Sequence, residues 1–188
     1  DKTGKGRIYG VHPVGEDHAQ ERDAVRALLG EGMAQRGSRE LASLLSHGHQ
    51  TVRLEAQWEL ADRAQSAPGS GRECLELLLG AALGEFPGEF ARLHGIWGSG
   101  QVLRAGGAGA RQVWATLSAL HRDADARVRS QWFKVLAQVP SPYAQASAQR
   151  GLGDPEPRVR FFAAQCLANL GREGYGDPGV VSTLLDLI

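Results

Sequence analysis

The chain has 188 residues, with 21 Lys and Arg against 21 Asp and Glu, a formal net charge of zero, and 42% hydrophobic residues. That size holds one domain or a short repeat array, and the composition is that of a folded globular chain. Balanced charge gives no global pull toward nucleic acid or anionic membrane. No apolar run reaches the ~20 residues that crossing a bilayer requires.

Asp1 to Gly6 carries no apolar stretch of the signal-peptide kind, and position 1 is not Met. The reading is a segment of a longer chain, with no signal peptide expected. Residues 1–18 differ from the rest. Gly4, Gly6, Gly10 and Gly15 punctuate Arg7-Ile8-Tyr9-Gly10-Val11-His12-Pro13, in which Ile8 and Tyr9 favour strand and Pro13 ends it. An irregular or strand-like N-terminal arm, the remnant of a preceding domain, is predicted there, followed by a helical domain over 19–188.

From Ala19 the strand signals vanish. Ala24, Val25, Leu28 and Leu29 mark one face of a helix, and Gly30, Gly32 and Gly37 break it. Ser38 is placed to cap a helix beginning at Arg39. Four segments then repeat. They open at Val52, Ala91, Val128 and Val159, and the next residue is Arg each time: Arg53, Arg92, Arg129 and Arg160. The intervals are 39, 37 and 31 residues. An apolar helix-like run precedes each segment, at Leu41–Leu45, Cys74–Leu83, Val113–Leu120 and Tyr143–Leu152, and a fifth run spans Val180–Ile188.

Each unit reads as two antiparallel helices, A then B, that cannot bury their apolar faces alone and therefore stack. Three residues after the Arg stand Ala56, Gly95 and Ala163, small enough for close helix approach, while Trp132 breaks the pattern. Asp154-Pro155-Glu156-Pro157 and Asp123-Ala124-Asp125 provide capping chemistry ahead of two B helices. Ser66–Gly71 and Ala105–Gly109 read as inter-repeat loops, as do the short Gly-Ser-Gly stretches at 69–71 and 98–100.

Asp125-Ala126-Arg127-Val128-Arg129 and Asp154 through Ala164 resemble the opening of helix B in HEAT repeats, an Asp followed by Val-Arg and a small residue. The resemblance covers about residues 38–188. It implies an all-α fold, a right-handed α-α superhelix of about four and a half stacked hairpins. The structural repeat positions under that reading are Arg53, Arg92, Arg129, Arg160, Asp125 and Asp154. In such stacks this Arg bonds nearby carbonyls or the Asp of an adjacent repeat, setting register.

A narrower resemblance rests on His47 through Ala56 and on Ala91 through Gly98. These segments look like the HEAT portion of large secreted, putative membrane-bound dehydrogenases of planctomycete-type bacteria, which carry a β-propeller before it and a c-type haem domain after it. Gly6-Arg7-Ile8-Tyr9-Gly10-Val11 is similar to the last strand of such a propeller. The resemblance implies an extracytoplasmic redox parent. This sequence holds no C-x-x-C-H for covalent haem and no propeller, so no cofactor is expected in it.

Chemistry-bearing residues are sparse. Cys74 and Cys166 have neither disulfide nor zinc spacing and read as buried free thiols. His47 and His49 share a turn and His94 lies on another helix, too few ligands for a metal, so loop or surface positions are expected. No G-x-S-x-G is present, and Glu85 and Glu89 flank Pro87 on a solvated edge. Trp58, Trp97, Trp114 and Trp132 are expected in the core. A phycobilin-lyase-like HEAT enzyme would need an acidic or Cys-bearing cavity, which the sequence does not display. The expectation is a non-catalytic scaffold binding a protein or neighbouring domains of its own chain, with no nucleic acid. Dimerisation through the C-terminal repeat near Ile188 is a further expectation. The enzymatic alternative is a region lending residues to a dehydrogenase site at a propeller boundary.

Overall fold

The computed structural model describes residues 19–66, 69–139 and 141–175. The strand-like arm at 1–18, the fifth apolar run and the dimer face expected near Ile188 lie outside them. The chain forms two compact units, 1–32 and 33–188. In the first, α1 (Ala19–Glu31) buries Val25 and carries an exposed Arg26–Asp23 ion pair at 2.9 Å.

The second unit is helical throughout its described residues, and its helices come in four A–B pairs. They are α2 (Ser38–Leu44) with α3 (Gln50–Ser66), α4 (Gly71–Leu83) with α5 (Glu89–Ala105), α6 (Gly107–Leu117) with α7 (Ala126–Leu136), and α8 (Pro142–Gly151) with α9 (Pro157–Arg172). A 3-10 turn, Ser118–Arg122, prolongs α6. The described residues of this unit form an all-α solenoid of HEAT-like hairpins. Arg53, Arg92, Arg129 and Arg160 each fall on the fourth residue of their B helix. The register is therefore uniform although the intervals are not.

Consecutive B helices pack side by side from α3 through α5 and α7 to α9, forming one continuous layer. The A helices form a second layer from α2 through α4 to α6. Apolar side chains of both layers meet between them: Leu41, Leu45, Leu60, Leu78, Ile96 and Leu136 are fully buried. Each such side chain contributes about 1.5–3 kcal/mol relative to an exposed one. Arg63 anchors the lead-in segment by donating to the carbonyls of Arg36 at 2.8 Å, Ala34 at 2.9 Å and Met33 at 3.2 Å.

Four sequence expectations change at this level. Gly98-Ser99-Gly100 is no loop but the interior of α5. A glycine there costs a helix about 1 kcal/mol against alanine, and packing overrides that cost. A Cβ on Gly98 would sit 2.6 Å from Leu78, one on Gly100 2.9 Å from Val135, and one on Gly95 2.8 Å from the backbone of Ala81. Helix α5 is thus bare on the sides where α4 and α7 press against it. The 105–109 loop shrinks to a single corner at Gly106, where φ is 81°, and α6 begins at Gly107. Ser38 is not the cap of α2 but its first residue, buried, with Gly37 at the cap position. Its Oγ lies 3.4 Å from Cys74 Sγ.

The fourth change concerns tryptophan. Trp58 is 49% exposed and does not join the core. Trp132 keeps the register and changes the packing instead. It is fully buried and meets Trp114 edge to face, ring centroids 5.9 Å apart. A large ring now occupies the place that glycine or alanine holds in the other hairpins. Helix α7 accordingly packs on the 3-10 turn rather than along α6. Beyond this hairpin the A layer opens: α6 and α8 scarcely approach each other, while α7 and α9 remain closely packed.

Candidate functional site

The B helices position two sets of polar groups, one at their N-terminal turns and one along their outward face. At the turns, Arg129 donates from Nη1 to the carbonyls of Asp123 and Ala124 at 2.7 and 3.2 Å, closing its own A–B turn. Its Nε and Nη2 form a fork on Asp154 at 2.7 and 2.8 Å, reaching the next hairpin. Arg92 forks in the same way onto Asp123 and donates from Nε to the Ala82 carbonyl at 3.0 Å. Arg160 bonds the carbonyls of Asp154 and Pro155 at 2.9 and 3.0 Å.

The acidic position of this ladder is therefore Asp123 and Asp154, each six residues before an Arg. Asp125 has a different job. It caps α7, its side chain accepting from Arg127 N at 2.8 Å, the place that Glu156 occupies before α9. The shared offset of six was present in the sequence and points to Asp123. Hydrogen bonds from Arg129 hold the Asp154 carboxyl below its ordinary value, burial opposes them, and the Glu156 amide adds to them. Replacing Asp154 with Ala is expected to cost about 1.5–3 kcal/mol, because a charged fork and a backbone donor lose their acceptor together. Asp125→Ala should cost only about 1 kcal/mol, the worth of a cap. Urea unfolding of both variants measures this, and equal midpoints would remove Asp154 from any special place.

Arg53 has no such partner, because the position six before Arg92 is Phe86. It bonds the His47 and Gly48 carbonyls at 2.6 and 2.8 Å and stacks on Phe90 at 4.2 Å. Its Nε donates to His94 Nε2 at 3.2 Å, and His94 Nδ1 lies 2.8 Å from Gln57 Oε1. His94 is therefore buried, 2% exposed, and not the surface histidine expected. With Nε2 accepting, the ring proton sits on Nδ1. Burial pushes this imidazole down from 6.5 to about 4, and the Arg53 charge adds to it. His47 accepts at Nδ1 from the His49 amide at 2.9 Å, so the His47 ring serves its own turn while that of His94 bonds α3. Cys74 and Cys166 are buried free thiols, and burial pushes Cys166 up to about 12. Neither is poised as a nucleophile.

The outward face carries a row of side chains five residues after each Arg: Trp58, Trp97, Lys134 and Gln165. Trp97 Nε1 donates to Gln131 Oε1 of the next B helix at 3.0 Å. Arg104 spans the same step to Gln138 at 2.7 Å. A shallow cleft of about 280 Å³ runs here between Leu54, Trp97, Gln101, Lys134 and Gln138. In the last hairpin Phe161, one residue after Arg160 and a helical turn before Gln165, is 62% exposed. Among the described residues no group of three or more His, Cys, Asp or Glu could hold a metal ion, and no helix is long and apolar enough to cross a membrane.

Residues 115–188 match the family described as HEAT repeats. No curated protein matches the chain. One similar solved structure is the crystal structure of an engineered protein from the Northeast Structural Genomics Consortium. It has 16% sequence identity and a TM-score of 0.47, covering 81% of this chain and 68% of that one.

Proposed function

We propose that the chain is a non-catalytic scaffold that docks a protein, or a neighbouring domain of its own longer chain, on the outward face of its B helices. The observation that carries this reading is the exposure of Trp58 and Phe161 on that face: Trp58 repeats the position of Trp97 and Phe161 that of Leu54, and Trp97 and Leu54 both line the cleft. Exposed aromatic side chains on a face that also carries amides and Lys134 have the composition of an interface rather than of an active site. Stacked repeats bind through such extended surfaces. The burial of His94, Cys74 and Cys166 supports the same view, since none is presented to a substrate.

The narrower resemblance, on His47 through Ala56 and Ala91 through Gly98, supports placing this scaffold in an extracytoplasmic redox protein. There it would space a propeller from a haem domain and need no cofactor of its own. The test installs a photo-crosslinking residue at Trp58, at Phe161 and, as control, at Leu83 on α4, in the full-length protein. Crosslinks to one defined partner or domain from the first two sites and not from Leu83 are expected. Dehydrogenase turnover by the purified 188-residue chain with sugars and an artificial electron acceptor would overturn the reading.

A further inference from the structure

The gap in the A layer between α6 and α8 is an open cleft of about 990 Å³, on the opposite side of the molecule from the B-helix face. Its walls are apolar and aromatic: Trp114 and Tyr143 face each other with centroids 6.2 Å apart, beside Pro142 and Ala146. Tyr143 is 75% exposed. A large aromatic held so far into solvent at the lip of a cleft is an anchor without an occupant.

Charge around this cleft has one sign. Arg111, Arg122 and Arg150 line it together with His121, and no Asp or Glu does. Several arginines elsewhere in the second unit have carboxylate partners: Arg36 with Glu40, Arg63 with Glu59, Arg72 with Glu76, Arg92 with Asp123, Arg129 with Asp154; Arg53, Arg104 and Arg160 bond other acceptors. No ion pair joins Arg111, Arg122 or Arg150 to a carboxylate among the described residues. His121 is tied at Nδ1 to the Ser118 carbonyl at 2.6 Å, and its buried Nε2 has no hydrogen-bond partner.

We propose that this cleft binds an acidic peptide segment of a partner protein, its carboxylates on Arg111, Arg122 and Arg150 and an aromatic or large apolar side chain packed against the Trp114–Tyr143 pair. The cleft is far larger than a lone phosphate needs, and its apolar walls would be left wet by one. Nucleic acid is disfavoured because three arginines neutralise few phosphates and the zero net charge of the chain adds no long-range attraction. Three guanidinium groups around an aromatic pair match a short run of Glu or Asp flanking Phe or Trp.

The probe is a fluorescein-labelled eight-residue peptide of Glu pairs alternating with Phe, titrated with the full 188-residue chain and read by polarisation. A lysine counterpart, a uridine oligonucleotide of eight residues and inorganic phosphate are the comparisons. Saturable binding of the acidic peptide is expected, weakening with added salt. The double variant Arg111→Glu, Arg150→Glu should weaken it about tenfold or more, and Tyr143→Ala severalfold. Arg72→Glu on α4 should leave it unchanged. All four positions are exposed, and circular dichroism confirms that each variant folds. Absence of saturable peptide binding, equal binding by the double variant, or tighter binding of the oligonucleotide would overturn the proposal. So would full displacement of the peptide by millimolar phosphate, which marks a simple anion site. A negative result here leaves the B-helix face untouched, because that reading depends on crosslinks from Trp58 and Phe161.

Discussion

Truncating Trp132 to Ala should destabilise the chain by about 3–5 kcal/mol, the range for deleting a large buried aromatic. Trp132 is fully buried and stands where the other hairpins hold Ala56, Gly95 and Ala163. Its ring replaces the helix-to-helix contact that a small residue would permit, so removal leaves a hole between α6 and α7 that neither backbone is positioned to fill. Trp114 loses its edge-to-face neighbour as well. The substitution Trp132→Phe should be much milder. It keeps most of the volume and removes an indole Nε1 that is buried without a partner. Urea denaturation at neutral pH measures both. A Trp132→Ala cost below about 1.5 kcal/mol would mean that α6 can collapse onto α7, and that the wide third hairpin is not Trp132's doing.

Acid should weaken the fold through His94 before it titrates the Arg–Asp ladder. The His94 imidazole is pushed from 6.5 down to about 4 in the folded chain. Between those values the unfolded chain holds a proton that the folded chain refuses. Stability is complete above pH ~7, falls as pH drops through 6.5 toward 4, and loses nothing further from this group below that. A gap of that size corresponds to roughly 3 kcal/mol, at 1.36 kcal/mol per unit. Physically, a second ring proton would point at the Arg53 guanidinium, which already donates to Nε2. His94→Gln should flatten the dependence, since Gln131 holds the same place in the third hairpin and serves there as an acceptor for Trp97. Unfolding free energies at pH 7.5, 5.5 and 4 in both proteins give the difference. Parallel curves would show that His94 is charged or solvated in the fold. Asp154 acts in the same sense but lower down. Its depressed carboxyl contributes stability above its ordinary 3.8 that is lost only as pH falls beneath that value.

The hairpin pattern was legible because it is local. A helix B that opens one residue before each Arg, with apolar positions at helical spacing, is written in consecutive residues. All four such helices, at Gln50, Glu89, Ala126 and Pro157, begin two residues ahead of the openings at Val52, Ala91, Val128 and Val159. What eluded sequence reading involves partners far apart along the chain. Gly98 and Gly100 look like loop glycines until Leu78 and Val135 are seen lying against them. His94 looks like a surface residue until Gln57 and Arg53, on α3, close over it. Trp58 and Trp97 share a register, but only the neighbour on the next B helix decides that one is half-buried and the other exposed. Asp123 was within reach by counting back from Arg129, and the adjacent Asp125 competed for attention because caps are easier to recognise than forks across repeats. Nothing in the one-dimensional pattern announced the cleft beside Trp114 and Tyr143, because a gap between α6 and α8 is a property of layers.

That gap also makes the molecule unequal along its length. Between the second and third hairpins both layers are closed, and neighbouring hairpins are clamped front and back. At the third junction the α7–α9 packing and the Arg129–Asp154 fork carry most of the step, and the A side adds little beyond the Trp114–Tyr143 contact. The fourth hairpin is bound like a cover on a spine, and a small rotation about α7 and α9 widens or narrows the mouth between α6 and α8 without tearing the remaining pages.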